Sequence, residues 1–253
     1  MTFLEKSKGE LSVSDELAIG LMSRLDAFCA FAKAEGILIR PYSARCIQDF
    51  RHYPADVQAA IYQRFGYYLE AVESVVASGI SLQDTPRALW HLFKLRGLRP
   101  TSDLFSTISD GSVVEVYLPN HTQWYRSFNY YEYTSYSLGD LICYKWNQLF
   151  EHNEALAGYI AETSEEIFCE KVKCSVFPSL EPAVSRELFS DQKYVGKLEL
   201  KTMSPVLDAD GYTEALAVVW NMELLKDAEK SNHTGSSHSV SHREPLIDPI
   251  RLV

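Results

Sequence analysis

Residues 129–150 read NYYEYTSYSLGDLICYKWNQLF, and the fold turns on how this run is parsed. Ser137 stands directly before an apolar run that starts at Leu138, so its hydroxyl can accept from the free N–H groups of a starting helix. Asp140 sits in the first turn, where the positive end of the helix dipole favours it. Trp146, Leu149 and Phe150 then share one helical face. Residues 131–150 therefore read as short helical pieces rather than one rod, and this aromatic face is suited to plug one end of a curved sheet.

Strand signals flank the run on both sides. Upstream, Asp110-Gly111 supplies a turn, Val113, Val114, Val116, Tyr117 and Leu118 form a strand, Pro119-Asn120 turns the chain, and 122–128 returns as a second strand. Downstream, 153–170 reads as a longer helix that offers Leu156, Tyr159 and Ile160 to the buried face of the sheet. Strands are expected at 183–189 and 194–203. In the second of these Lys197, Glu199 and Lys201 alternate with Leu198, Leu200 and Thr202, which gives one wet and one buried face. Asp210-Gly211 is a hairpin turn in which both residues tolerate positive φ. Residues 215–220 carry no wet face and read as a central strand.

Residues 12–109 read as helical. A first helix starts at Ser12 or Ser14, carries Leu17, Leu21, Leu25, Phe28 and Ala32 at helical spacing, and stops at Gly36. A second covers 43–52. A third begins at Pro54, carries Val57, Ile61, Phe65, Leu69, Val72 and Val76, and is closed by Ser78-Gly79. Thr85 as cap and Pro86 in the first turn open a fourth, with Leu89, Trp90, Phe93 and Leu95 as its apolar stripe and Gly97 as its end. Such stripes read as core. The fold class is thus α+β: an N-terminal α-helical domain followed by an antiparallel sheet flanked by helices. The domain limits are a polar lead at 1–11, helices at 12–109, the sheet domain at 110–225 and a polar tail at 226–253.

The chain has 253 residues, 46% hydrophobic and 23% charged, which suffices for a real core. Its formal net charge of -10 argues against nucleic acid and against an anionic membrane surface. Lys94, Arg96 and Arg99 run against that trend and read as a solvated helix end. No apolar run of about 18 residues or signal-peptide core is present. The five cysteines, Cys29, Cys46, Cys143, Cys169 and Cys174, show no CxxC pair and fit a reduced, cytoplasmic setting. Serine-rich residues 231–241 read as disordered. The end of the tail regains Leu246, Ile247, Ile250 and Leu252, either as a loose end or as a short peptide for a partner or its own domain.

The order of elements, hairpin, short helices, longer helix, strand meander, resembles the PAS family over residues 110–225, under half the chain. Two stretches carry the likeness. Members of that family place an asparagine after the first hairpin, then a T-G-Y-S step, an acidic residue, a leucine and a W..L pair. Here these are Asn129, Thr134-Ser135-Tyr136-Ser137, Asp140, Leu141, and Trp146 with Leu149, with Ser135 in place of the usual glycine. The second stretch, 197–222, reads KLELKTMSPVLDADGYTEALAVVWNM and is similar to the closing PAS strands with their SPV.D.DG turn. Residues 172–182 are less typical and read as an inserted loop.

The resemblance implies a regulatory protein that senses a small ligand or mediates protein contacts in signal transduction. Its expected partners are a small molecule and a protein partner or second copy of the chain. The cofactor is left unknown, with haem and flavin disfavoured: His152 is the one histidine near the long helix, and nothing matches the flavin-sensor motif, Cys143 lying instead in ICYKW as a small core residue. No GxGxxG, Walker-type, HExxH or GxSxG motif occurs, so no catalytic residue is assigned. His121 reads as solvated, and His233, His238 and His242 as incidental rather than a metal site.

The chain has fifteen tyrosines and four tryptophans, and Trp124, Tyr125, Phe128, Tyr130, Tyr131, Tyr133 and Tyr136 crowd into the hairpin and the turn after it. Packing accounts for most of them. A curved sheet closed by one helix leaves either a filled core or a small cavity, and both stay open. In the second case Arg126, Tyr136, Trp146, Phe150, Tyr159, Leu200 and Trp220 are expected to line the pocket, with Arg126 pairing a ligand carboxylate or a surface partner. Two alternatives stand beside the sensor: an enzyme of unrecognised type with an α+β ligand pocket, and a filled-core PAS scaffold for assembly.

Overall fold

A computed structural model of the chain describes residues 13–151, 153–190 and 192–225. The expected polar lead, the tail with its three histidines, and His152 lie outside them.

Four helices come first: α1 (Val13–Ala34), α2 (Ala44–His52), α3 (Ala55–Ala77) and α4 (Thr85–Leu95). Their ends follow from local chemistry. Ser43 accepts from the Cys46 N–H and starts α2. Gly79, at φ 67°, closes α3 in the left-handed region, where Ile80 N–H reaches back to the Val75 carbonyl. The cap of α4 differs from expectation. Asp84, not Thr85, accepts from the Arg87 N–H, and Thr85 already belongs to the first turn with Pro86 behind it. The stripe of α4 differs too. Its buried side is Ala88, Leu89, Leu92 and Phe93, while Trp90 and Leu95 are 57% and 64% exposed. Trp90 instead rests its ring against Phe105 at 5.8 Å. Lys94, Arg96 and Arg99 are exposed as expected, and Arg96 also lies 4.4 Å over the Trp124 ring.

The sheet is antiparallel throughout. Its strands are β1 (Arg99–Pro100), β2 (Val113–Tyr117), β3 (Gln123–Arg126), β4 (Ala183–Arg186), β5 (Val195–Leu207) and β6 (Thr213–Leu225). The order is β1-β5-β6-β2-β3, with β4 on the first part of β5 and β1 on its last two residues. The first hairpin, β2–β3, thus closes against the last strand. β6 lies between β5 and β2, the central place its unbroken apolar run predicts. In the β5–β6 turn Gly211 takes φ 87°, and the Asp208 carboxylate accepts from the N–H groups of Asp210 and Tyr212. Short helices α5 (Leu104–Thr107), α6 (Leu138–Cys143) and α7 (Trp146–Leu149), a 3₁₀ turn at Phe128–Glu132, and α8 (Glu154–Phe168) complete the fold.

β6 is apolar on both sides because both sides are covered. Ala215, Ala217 and Val219 pack with α1, α3 and α4 in one continuous core. Leu216 and Val218 pack under α8 with Ile167, Leu200 and Met203. We call these the outer and inner faces. Helical layer and sheet share the outer core: Phe28 of α1 stacks on Phe128 at 5.1 Å, and the Tyr68 hydroxyl of α3 donates to the Arg126 carbonyl at 2.7 Å.

A seam of polar contacts joins residues 40–49 to α6. The N–H groups of Leu138 and Gly139 donate to the carbonyls of Arg40 and Pro41, each at 2.8 Å. Ser137 caps α6 as expected, Asp140 completes a capping box by accepting in turn from the Ser137 N–H, and Asp140 also accepts from Ser43 at 2.7 Å. Gly139 makes the approach possible: a Cβ there would lie 2.8 Å from the Cys46 sulfur and 3.3 Å from the Pro41 carbonyl oxygen. Gly-to-Ala within a helix ordinarily stabilises by about 1 kcal/mol. Here the sign should reverse, with Gly139→Ala losing about 1–3 kcal/mol in urea unfolding. A stabilised variant would show that the seam is looser than described.

Candidate functional site

Cross-strand register puts a charged pair on the inner face. Glu115 of β2 stands opposite Arg126 of β3 on one side and Val218 of β6 on the other. Both side chains are buried, at 7% exposure each. Arg126 Nε and Nη2 each approach Glu115 Oε1 at 2.8 Å, and Gln123 Nε2 donates to the same oxygen at 2.9 Å. Oε2 accepts from the Tyr117 hydroxyl at 3.0 Å and from Trp220 Nε1 at 3.1 Å. The guanidinium lies 4.1 Å over the Tyr130 ring. Every lone pair of the carboxylate faces a donor, which is the condition for keeping an ion pair out of water.

The electrostatics follow from this packing. Burial works against the Arg126 cation, but Glu115 and the surrounding tyrosines outweigh it, and its pKa is raised. Burial pushes the Tyr117 hydroxyl well above its ordinary value, with the Glu115 carboxylate adding to it. Burial likewise raises Tyr130 and Tyr131. Arg126 is held as a cation and the phenols around it are held neutral, which suits a fixed dipolar anchor better than proton traffic.

Of the residues expected to line a pocket, the structure gathers two groups. Tyr159, Leu200 and Trp220 belong to the apolar cluster under α8, and Trp220 joins them to Arg126 through Glu115. The ion pair of Arg126 is buried, not at the surface, and its partner comes from its own hairpin. Tyr136, Trp146 and Phe150 form the other group. Trp146 stacks on Phe150 at 4.0 Å, Tyr136 meets Phe150 edge-on at 5.4 Å, and the Tyr136 hydroxyl donates to the Leu149 carbonyl at 2.6 Å. Trp146 and Phe150 are two of the three residues expected as the plug; the third, Leu149, is buried with them, and Tyr136 joins them. The space left between this plug and Leu198 and Met222 is about 10 Å³, too small for a ligand and marginal for one water.

Two carboxylates escaped the sequence reading. Glu115 carried a signal, an acid inside the apolar run VVEVY with an arginine placed across the hairpin. Glu187 carried none. Chain leaves β4 at Arg186, earlier than expected, and Glu187 turns inward to 2% exposure. It accepts from Thr134 Oγ1 at 2.8 Å, from the N–H of Ser135 at 2.7 Å and of Tyr194 at 3.1 Å, and from the hydroxyls of Ser135 and Ser190. No cation pairs with it among the described residues. Beside this knot an open cleft of about 220 Å³ is lined by Leu38, Arg40, Ser135, Tyr136, Gln192 and Tyr194.

His121 is half-buried rather than solvated. Its ring meets Phe168 at 5.6 Å, and burial lowers its pKa against the pull of Glu165. Cys143 is the small buried residue expected. Among the described residues no helix is long and apolar enough to cross a membrane, and no three metal-ligating side chains converge. No protein-family model matches the chain, and no curated protein matches it.

Proposed function

We propose that the chain is a non-catalytic, PAS-type regulatory protein that acts through protein contacts in a signalling pathway of the cytoplasm. One observation carries the reading. The first hairpin closes against the last strand of the meander, the short helices and α8 come between them in sequence with α8 over the inner face, and the four-helix layer is packed on the outer face. That is the element order on which the PAS resemblance rests. Contact is favoured over a resident ligand because the inner face is filled by the Glu115–Arg126 pair and the aromatic plug. Arg126 gives a physical link between the layers: its side chain is fixed on the inner face, and its carbonyl is held by Tyr68 of α3. A contact that displaces one layer is felt by the other.

The full chain, affinity-tagged and purified, tests this by light scattering, native mass spectrometry and capture of bound proteins. The expected result is a second copy or a stoichiometric protein partner, with no small molecule retained. A strict monomer that captures nothing would sink the proposal, and a retained small molecule would replace contact by ligand sensing.

A further inference from the structure

The seam between α2 and α6 holds two thiols face to face. Cys46 and Cys143, 97 positions apart in sequence, place their sulfurs 3.5 Å apart. Cys46 is fully buried and Cys143 is 8% exposed. A disulfide has its sulfurs about 2 Å apart. The remaining approach is small, and the partner on one side is a six-residue helix that rotation of the cysteine side chains and slight relaxation can accommodate. We propose that Cys46 and Cys143 are a modification site, a dithiol that a hydroperoxide converts reversibly into a disulfide joining the helical layer to α6.

The order of events follows from exposure. The Cys143 thiolate, which has the route to solvent, attacks the outer oxygen of the hydroperoxide. The O–O bond breaks, an alcohol leaves after taking up a proton (water, when the oxidant is hydrogen peroxide), and a sulfenic acid remains on Cys143. Cys46 then attacks that sulfur. The S–S bond forms, the S–O bond breaks, and hydroxide leaves with the Cys46 proton as water. Two thiols and one hydroperoxide thus give one disulfide, one alcohol and one water; the sulfurs lose two electrons and the peroxide gains them. A small thiol reverses the step by exchange. The hydrogen bond to Cys143, with burial and the nearby Asp140 and Asp49, pushes the Cys46 thiol well up, which fits it to react second. The proposal is independent of the PAS-type reading, since it needs only the seam.

Hydrogen peroxide is added to the folded full chain, followed by denaturation, alkylation, intact mass and peptide mapping. The expected product is lighter by two hydrogens, carries a Cys46–Cys143 link, and reverts with dithiothreitol. Closing a loop this long should also raise Tm by about 5–15 °C. The proposal is overturned if Cys46 and Cys143 are both alkylated while the exposed Cys169 and Cys174 carry the oxidation, or if Cys143 goes on to sulfinic acid without a cross-link. A Cys169→Ser/Cys174→Ser variant removes that competing pair at exposed positions, and the cross-link must persist in it.

Discussion

Arg126→Met should lower the unfolding free energy by about 3–5 kcal/mol, because it leaves the buried Glu115 carboxylate without its cation. The size comes from desolvation rather than from the lost attraction. Glu115 would keep Gln123, Tyr117 and Trp220 as donors, yet carry a full charge at 7% exposure between β2 and β6. Methionine fills much of the volume of the arginine stem, so cavity formation contributes little. The Tyr68 bond goes to the backbone carbonyl of residue 126 and survives the change. The double variant Glu115→Gln/Arg126→Met separates charge from shape: a neutral amide keeps an acceptor for Trp220 and Tyr117, and at least half the loss should return. Urea unfolding followed by tryptophan fluorescence reads both. If Arg126→Met stays within about 1 kcal/mol of the parent, or the double variant is no better than the single, the pair is not the anchor described.

Glu187→Ala should be comparably severe, about 3 kcal/mol or more, for a different reason: it orphans donors instead of a charge. Thr134, Ser135, Ser190 and Tyr194 all aim hydrogens at one carboxylate, and they come from two separate loops. Without it the two loops lose the anchor they share. Glu187→Gln keeps one acceptor but turns an NH₂ toward hydroxyls and an N–H, and should fall between parent and alanine. Hydrogen exchange gives the sharper readout. The amides of Ser135 and Tyr194 should lose protection in both variants, while those of α1 and α3 keep it. Unchanged exchange at those two amides would show that the loops stand without the carboxylate.

How much of this was legible in the sequence depended on the range of the cause. Ser137 with Asp140, Gly79, Asp210-Gly211 and the apolar run at 215–220 each act over a few residues, and each was found where expected, with Trp220 alone of that run only partly buried. Asp84 displaced Thr85 as a cap because two neighbouring residues both suit the role and only the observed backbone decides between them. Trp90 and Leu95 were misplaced for a related reason. On an eleven-residue helix two adjacent stripes score alike, and tertiary contact picks the one that carries Leu92. The site was legible as residues but not as partners. Arg126 and Trp220 were singled out, but the carboxylate that joins them was not, and Glu187 ties its own loop to Thr134 and Ser135, about fifty residues away in sequence. Local pattern carries no information about such meetings.

β6 has a consequence for which changes of length the fold can absorb. Along 215–219 successive side chains enter opposite compartments, Ala215, Ala217 and Val219 beneath the helices and Leu216 and Val218 beneath α8. Inserting or deleting one residue there would exchange the two sets, forcing leucine and valine into spaces sized for alanine on one side and leaving voids on the other. The five-residue turn from Asp208 to Tyr212 is exposed at its tip and bears no such constraint. At this hairpin a change of length is therefore absorbed in the turn, and the strand after it behaves as a fixed reading frame for both cores at once.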